Sequence, residues 1–295
     1  MKGRSENRLR GVRILYEDPQ IFVIEKAAGV LSQALRNVDE NSVEEALGDY
    51  VRKGQWKSSR RVYLVHRLDR DTSGVMVVAK TESVQQWFRE HWNEVTTKVY
   101  LARVAGALDA ERGVFESYLA EDEKFFVRSV RDGHSGKFAR TVWRVVEPPA
   151  GEPPSTLVEV LLKSGRKHQI RVHFAEAGHP VLGDAKYGPK PPKPPPRAKG
   201  APEARRRRPA PPPPLCLHAW KLSFEHPATH KTLSFEAAPP RWAKQVGRAA
   251  PCPPRTGKMP VPPVQTGKRP VPQVVFKQQR PKGRKQEEKR NDKRS

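Results

Sequence analysis

Apolar residues in this chain come in short runs bounded by turn-forming residues, a pattern that predicts many strands and few helices. Ile14-Leu15-Tyr16 and Ile21 to Ile24 read as two strands around the turn Glu17-Asp18-Pro19-Gln20. Val62 to Val65 enters a polar turn and Val75 to Ala79 leaves it. Val99 to Ala105, Thr141 to Val146 and Leu157 to Leu162 are further strands. Leu215 to Ala219, Leu222 to Glu225 and Leu233 to Glu236 close the series. Elsewhere the period becomes helical. From Asn41 onward, Val43, Ala46, Leu47, Tyr50 and Val51 share a face, with Glu44 placed to complete a capping box. Thr81 caps a second helix carrying Val84, Trp87, Phe88, His91 and Trp92 on one side. Ile170, Phe174 and Ala177 stripe a third, which ends at Gly178. Strands and helices do not alternate regularly. The expected class is therefore α+β, a mixed and largely antiparallel sheet flanked by helices, rather than a doubly wound fold.

Charge changes the picture after about residue 188. Of 295 residues, 56 are Lys or Arg and 32 are Asp or Glu, a formal net charge of +24. Residues 189–214 carry eight basic residues and one acid, and residues 241–295 carry sixteen and three. These two segments also hold 21 of the 30 prolines, which leaves the rest nearly balanced at 32 basic against 28 acidic residues. The first segment lacks the apolar side chains needed to offset ordering entropy and reads as a disordered or polyproline-type loop. The second repeats Thr256-Gly257-Lys258-Met259-Pro260-Val261-Pro262 as Thr266-Gly267-Lys268-Arg269-Pro270-Val271-Pro272, a low-complexity tail. The expected organisation is a basic stretch over 1–11, a domain over 12–240 with 189–214 inserted as a loop, and a disordered basic tail over 241–295. Both basic segments suit phosphate contacts with RNA, or serve as solubilising linkers. No apolar run is long enough to span a bilayer, and residues 1–13 offer no stretch for a signal peptide. Cys216 and Cys252 form neither a disulfide framework nor a zinc site by themselves. A cytoplasmic protein, monomeric, with a polyanionic partner and neither membrane nor metal, is the expectation.

Chemistry concentrates in His66-Arg67-Leu68-Asp69-Arg70-Asp71-Thr72-Ser73-Gly74, a polar loop between two apolar strands. Taken alone, Asp69 reads first as a turn aspartate that caps backbone amides, the usual fate of Asp in a loop. His66, His168 and His173 invite a metal reading, but no third-ligand spacing supports it, and hydrogen-bonding structural roles are preferred. Trp87, Phe88 and Trp92 suit a base-stacking platform, but their helical period favours core packing.

The loop sequence, followed by an apolar strand and Ala79-Lys80, resembles the catalytic motif of the RluA family of pseudouridine synthases. Three further pieces match in order: Lys98-Val99-Tyr100-Leu101-Ala102, then Ser164-Gly165-Arg166-Lys167-His168-Gln169-Ile170-Arg171-Val172-His173, then Gly178-His179-Pro180-Val181-Leu182-Gly183-Asp184 with Tyr187-Gly188. Leu217-His218-Ala219 and His226-Pro227 fit the closing strands, so the resemblance runs from about Val12 to Pro240. It departs at Lys26-Ala27-Ala28-Gly29, where the family usually has Pro after Lys, and at Leu31-Ser32-Gln33-Ala34, which lacks the usual His-Pro. Lys167 stands where Ser or Thr is common. The start of the domain near residue 12 leaves no room for an S4-like RNA-binding domain before it.

The resemblance implies isomerisation of uridine to pseudouridine in RNA, with large-subunit ribosomal RNA as the first expectation and transfer RNA as the alternative. A non-catalytic RNA-binding or ribosome-assembly factor on the same fold is the competing class. No cofactor is expected, because the uracil only leaves the ribose, rotates and rejoins through carbon. By resemblance Asp69 is the essential carboxylate, Arg171 the cation that keeps it ionised, and Tyr100 the ring that stacks on the base. Arg67 is expected to fill the space of the flipped base, or to pair with Asp71. Arg166, Lys167 and His168 are expected on the RNA-binding side, with Arg166 contacting phosphate or holding its turn.

Overall fold

The computed structural model describes residues 8–34, 40–53, 55, 58–189 and 213–243. Residues 190–212 and 244–295, which hold almost all of the basic loop and tail, lie outside the described residues. The strands are β1 (Arg8–Leu9), β2 (Val12–Glu17), β3 (Ile21–Lys26), β4 (Tyr63–Leu64), β5 (Ser73–Ala79), β6 (Thr96–Ala105), β7 (Arg112–Glu121), β8 (Val127–Val130), β9 (Lys137–Ala150), β10 (Ser155–Leu162), β11 (Leu217–Glu225) and β12 (Thr232–Glu236). The helices are α1 (Val43–Arg52), α2 (Glu82–Val95) and α3 (Gln169–Glu176).

The strands form one sheet in the order β1-β2-β3-β5-β11-β6-β10-β9-β7-β8, with β12 on β11 and β4 on β5. Among the described residues β5–β11 is the one parallel pair of named strands, matching His218 to Ser73 and Ala219 to Gly74. The α+β class with a largely antiparallel sheet therefore stands. Helices cover both faces. Phe22, Ile24, Met76 and Val78 pack with Leu47 of α1 and Phe174 of α3, while Ile21, Val23, Val75 and Val77 pack with Phe88 of α2. This explains why β3 and β5 read as continuous apolar runs rather than alternating ones. Each of these buried side chains contributes about 1.5–3 kcal/mol.

Helix starts follow their caps. Thr81 Oγ1 accepts from the Val84 amide, as expected. The first helix begins one residue later than expected: Ser42 Oγ accepts from the Glu45 amide and donates to the Glu45 carboxylate at 3.0 Å. Glu44 instead accepts from the Ala34 amide. Leu215 and Cys216 precede β11, and the two expected closing strands are one strand with a register shift between Ala219 and Lys221. Sequence reading found neither β7 nor β8. Residues along β7 alternate exposed and half-buried with charged side chains on the outer face, so their apolar contrast is faint. At the other end of the chain, packing continues past Pro240: the Trp242 carbonyl accepts from Arg103 Nε and Ala243 is buried.

Candidate active site

The loop from His66 to Thr72 is tied down along its length. His66 Nε2 accepts from the Val77 amide, and its ring stacks on Trp92 at 4.7 Å. Ser32 Oγ accepts from the Leu68 amide and donates to the Leu68 carbonyl, while the Leu68 side chain enters the core. The buried Lys26 ammonium donates to the carbonyls of Ala27, Val30 and Arg70 at 2.7–3.0 Å. The Gly29 amide also reaches the Arg70 carbonyl, and the Thr72 amide closes a turn on the Asp69 carbonyl. Burial pushes Lys26 down to about 8, against the pull of Asp71 and Asp69. The loop ends at Gly74, whose φ of +122° and close approach to β11 exclude a side chain: a Cβ there would lie 2.1 Å from the Ala219 oxygen.

Opposite this loop, the chain enters α3 through His168 in the left-handed region at φ 54°. Gln169 pins the turn. Its Oε1 accepts from Ser164 Oγ and the Arg166 amide, and its Nε2 donates to Arg140 O and Thr141 Oγ1. One turn into the helix, the buried Arg171 uses three nitrogens on two carboxylates. Nε and Nη2 form a fork on Asp184 at 2.7 and 2.8 Å, and Nη1 donates to Asp69 Oδ2 at 3.0 Å. The Asp184 side chain is 0% exposed, while that of Asp69 is 27% exposed. Asp184 is satisfied further by the amides of Lys186 and Tyr187. Burial works against both charges of the Arg171–Asp184 pair, but the mutual hydrogen bonds and attraction outweigh it, lowering Asp184 and raising Arg171. The Tyr187 ring lies 5.2 Å from the guanidinium carbon, and its hydroxyl meets His168 Nδ1 at 2.7 Å.

Asp69, Arg171 and His168 line an open cleft of about 480 Å³ together with Phe126 and Lys186. His168 Nε2 stands 3.7 Å from Asp69 Oδ2, yet burial pushes the ring down to about 4, so it is neutral at pH 7. Tyr100 comes from β6. Burial, and then the Asp69 charge, raise its phenol above the usual range, so it is protonated. Arg67 is exposed and, among the described residues, makes no ion pair with Asp71. Arg166 Nε donates to the Phe138 carbonyl, which uses part of that side chain to hold its turn. Lys167 pairs with Glu121 and lies 5.5 Å from the Phe125 ring centre.

Histidines 66 and 173 have structural partners: His173 bonds Ser117 and Thr141. No group of three His, Cys, Asp or Glu side chains is placed to hold a metal among the described residues. Phe88 is fully buried, and Trp87 and Trp92 pack around it, so this stripe is core. Exposed aromatics lie elsewhere, on or beside the β7–β9 hairpins at Tyr118, Phe138, Phe125 (68%) and Phe126 (42%), with Lys186 4.6 Å from the Phe126 ring centre. Sequence reasoning gave Asp184, Lys26, Ser32 and Phe126 no role. Asp184 stood inside a quoted motif, and a buried acid beside a helix arginine was the signal available. Ser32 had none, since a lone serine in a loop is unremarkable.

Comparison with known proteins agrees with this arrangement. The sequence profile of a family described as RNA pseudouridylate synthase matches residues 20–176. A Nitrosomonas europaea protein named ribosomal large subunit pseudouridine synthase D is 34% identical over 231 residues, 78% of this chain and 62% of that protein. The same-named protein of Neisseria meningitidis is 35% identical over 77% of this chain and 58% of its own length. The chain thus spans about three fifths of these two relatives. A Chlorobaculum parvum protein named as an uncharacterized RNA pseudouridine synthase is 34% identical, covering 78% of this chain and 71% of that one. The solved structure of human RNA pseudouridylate synthase domain containing 4 superposes with a TM-score of 0.58 at 25% identity, over 78% of this chain and 89% of that one. No helix among the described residues is long and apolar enough to cross a membrane. With its motifs, its fold and these relatives in agreement, the chain belongs to the RNA pseudouridine synthase family, in the RluA-type branch that its sequence resembles.

Proposed function

We propose that this protein isomerises specific uridines to pseudouridine in RNA, with large-subunit ribosomal RNA as its substrate. The supporting observation is Arg171 bridging a sealed carboxylate, Asp184, and an accessible one, Asp69, at the wall of an open cleft. Asp184 fixes the guanidinium, and the guanidinium holds the Asp69 carboxylate in place. Breaking and remaking a bond at an anomeric carbon calls for such a carboxylate. The glycosidic C–N bond breaks, the uracil turns, and a C–C bond forms to the same ribose carbon. The base carbon then loses its proton and the freed nitrogen gains one. Tyr100, protonated at neutral pH, stacks on the base and serves as an acid in that exchange.

The uridine must leave its stack to reach Asp69, at a cost of a few kcal/mol. Arg67, exposed and without an acidic partner among the described residues, takes the place it vacates. Phe125 and Phe126, edged by Lys167 and Lys186, offer bases a stacking surface beside cations. Residues 12–240, with β1 before them and Trp242 and Ala243 packed after them, form the catalytic body, and the basic side chains of 189–214 and 241–295 add phosphate contacts. Its place of action is the cytoplasm, and it works as a monomer.

The test is to map pseudouridines in total RNA from a deletion strain complemented by wild type or Asp69→Ala. A uridine that loses its mark and regains it with wild type alone supports the proposal. If no mark is lost, and purified protein leaves unmodified ribosomal RNA and transfer RNA unchanged, the enzymatic reading is wrong.

A further inference from the structure

Most buried cations in this protein have clear partners. Lys26 has three carbonyls and Arg171 has two carboxylates. Lys98 is different. It is 6% exposed, yet among the described residues it makes no hydrogen bond and no ion pair. Its ammonium lies 5.5 Å from the Trp92 ring centre. Burial, and then repulsion by Arg166 of the same sign, push Lys98 down to about 8. Burying a cation without a counter-ion costs several kcal/mol, of which the Trp92 ring offsets only part.

The ammonium is also reachable. The atoms that are both sealed and unpartnered belong to Thr72, Trp143, Glu147 and His218, not to Lys98. Gly165 lies beside it without a side chain: a Cβ there would come into ordinary contact with Nζ, at 3.8 Å. Lys98 and Tyr100 occupy alternate positions of β6, so they face the same side, with Cα atoms roughly 6–7 Å apart. The result is a recessed positive charge, not fully sealed, on the same side of the strand as Tyr100.

We propose that Lys98, with Arg166 at its mouth, binds a backbone phosphate of the RNA beside the target nucleotide. This rests on the RNA reading proposed above. A compact, strongly hydrated ammonium suits a phosphate oxygen as a point charge. A phosphate between Lys98 and Arg166 converts their repulsion into two attractions.

The experiment measures binding of the full chain to an unmodified large-subunit ribosomal RNA transcript over a salt series, for wild type, Lys98→Met and Lys98→Arg. Lys98→Met is expected to weaken binding about tenfold at low salt. It should also flatten the log–log salt slope by about 0.7–0.9, the value of one phosphate contact. Lys98→Arg should restore both. Without RNA, Lys98→Met should melt at or above the wild-type temperature, because an apolar chain replaces a partnerless buried cation. Unchanged affinity and slope overturn the proposal. So does a Lys98→Met protein that melts lower, which would give Lys98 a structural role on Trp92. Turnover is read separately. Binding that depends on Lys98 without pseudouridine formation sinks the enzymatic reading and leaves the phosphate site. Turnover with Lys98 inert does the reverse.

Discussion

Replacing Asp184 by Asn removes one negative charge from the sealed end of the Arg171 network and changes little else in shape. Asp184 receives four N–H groups, two from Arg171 at 2.7 and 2.8 Å and two from the Lys186 and Tyr187 amides at 2.9 Å. Breaking a buried ion pair from one side costs about 3–5 kcal/mol. An Asn keeps one acceptor oxygen for the loop amides, which places the expected loss near the lower end, about 3 kcal/mol. For a domain of this size that lowers the melting temperature by about 6–12 °C. Turnover should fall further than stability explains. With its fork lost, Arg171 no longer holds Asp69 at a fixed angle, and a misplacement of about 1 Å costs roughly a hundredfold in rate. The assay pairs thermal melting with single-turnover pseudouridine formation, and the loss should fall on kcat with KM nearly unchanged. Acid gives a second readout. Burial alone would raise the Asp184 carboxyl, but Arg171 and the two amides hold it below the usual carboxylate range. Its contribution is therefore present above the ordinary carboxylate pKa and disappears as pH falls through the lowered folded value. The wild-type and Asp184→Asn stability curves should converge below about pH 4. A variant within about 1 kcal/mol of wild type, with unchanged kcat, would show that Arg171 does not depend on Asp184 and would refute the reasoning.

Asp69→Asn should reduce turnover by about a thousandfold or more while leaving RNA affinity within a few fold, checked by filter binding beside single-turnover kinetics. Phe126→Ala should weaken RNA binding by about 1–3 kcal/mol, the value of one stacked base, with the melting temperature unchanged. Gly74→Ala should destabilise by about 2–4 kcal/mol in denaturant titration, since its Cβ meets the Ala219 carbonyl at a positive φ. Burial depresses His66 to about 3 and His173 and His218 to about 4. The unfolded chain then binds more protons below about pH 6.5, and stability should erode from there down through the folded values. The slope should reach about 1.4 kcal/mol per pH unit for each histidine. His173→Gln, measured by the denaturant midpoint at several pH values, should shallow that slope.

Much of the interior was legible before any coordinates because both faces of the central strands are covered. Ile21 to Ile24 and Val75 to Ala79 have no polar alternation to confuse them, and α2 carries a side-chain cap at Thr81. The β7–β8 hairpin was not legible, because one of its faces meets solvent and its residues alternate weakly. Likewise Asp69, Tyr100 and Arg171 were readable as motif members, but the sequence does not say that Arg171 divides its nitrogens between two acids. That division depends on Asp184 arriving from a separate loop, a distance no local pattern encodes. Ser32 and Lys26 escaped for the same reason. Their importance lies in which carbonyls they meet, 36 and 44 residues away along the chain.

The parallel seam between β5 and β11 has a consequence for biosynthesis. The loop bearing Asp69 leaves the ribosome early, but Ser73 meets His218 only after 145 further residues have been made, and Asp69 meets Arg171 after 102. Contacts of such separation form late, because closing a long segment must precede any gain from them. A nascent chain therefore carries the Asp69 carboxylate without the guanidinium that pairs with it or the strand that meets Ser73. These contacts become possible only once α3 and β11 have been made, and a product truncated before them would hold Asp69 without either partner.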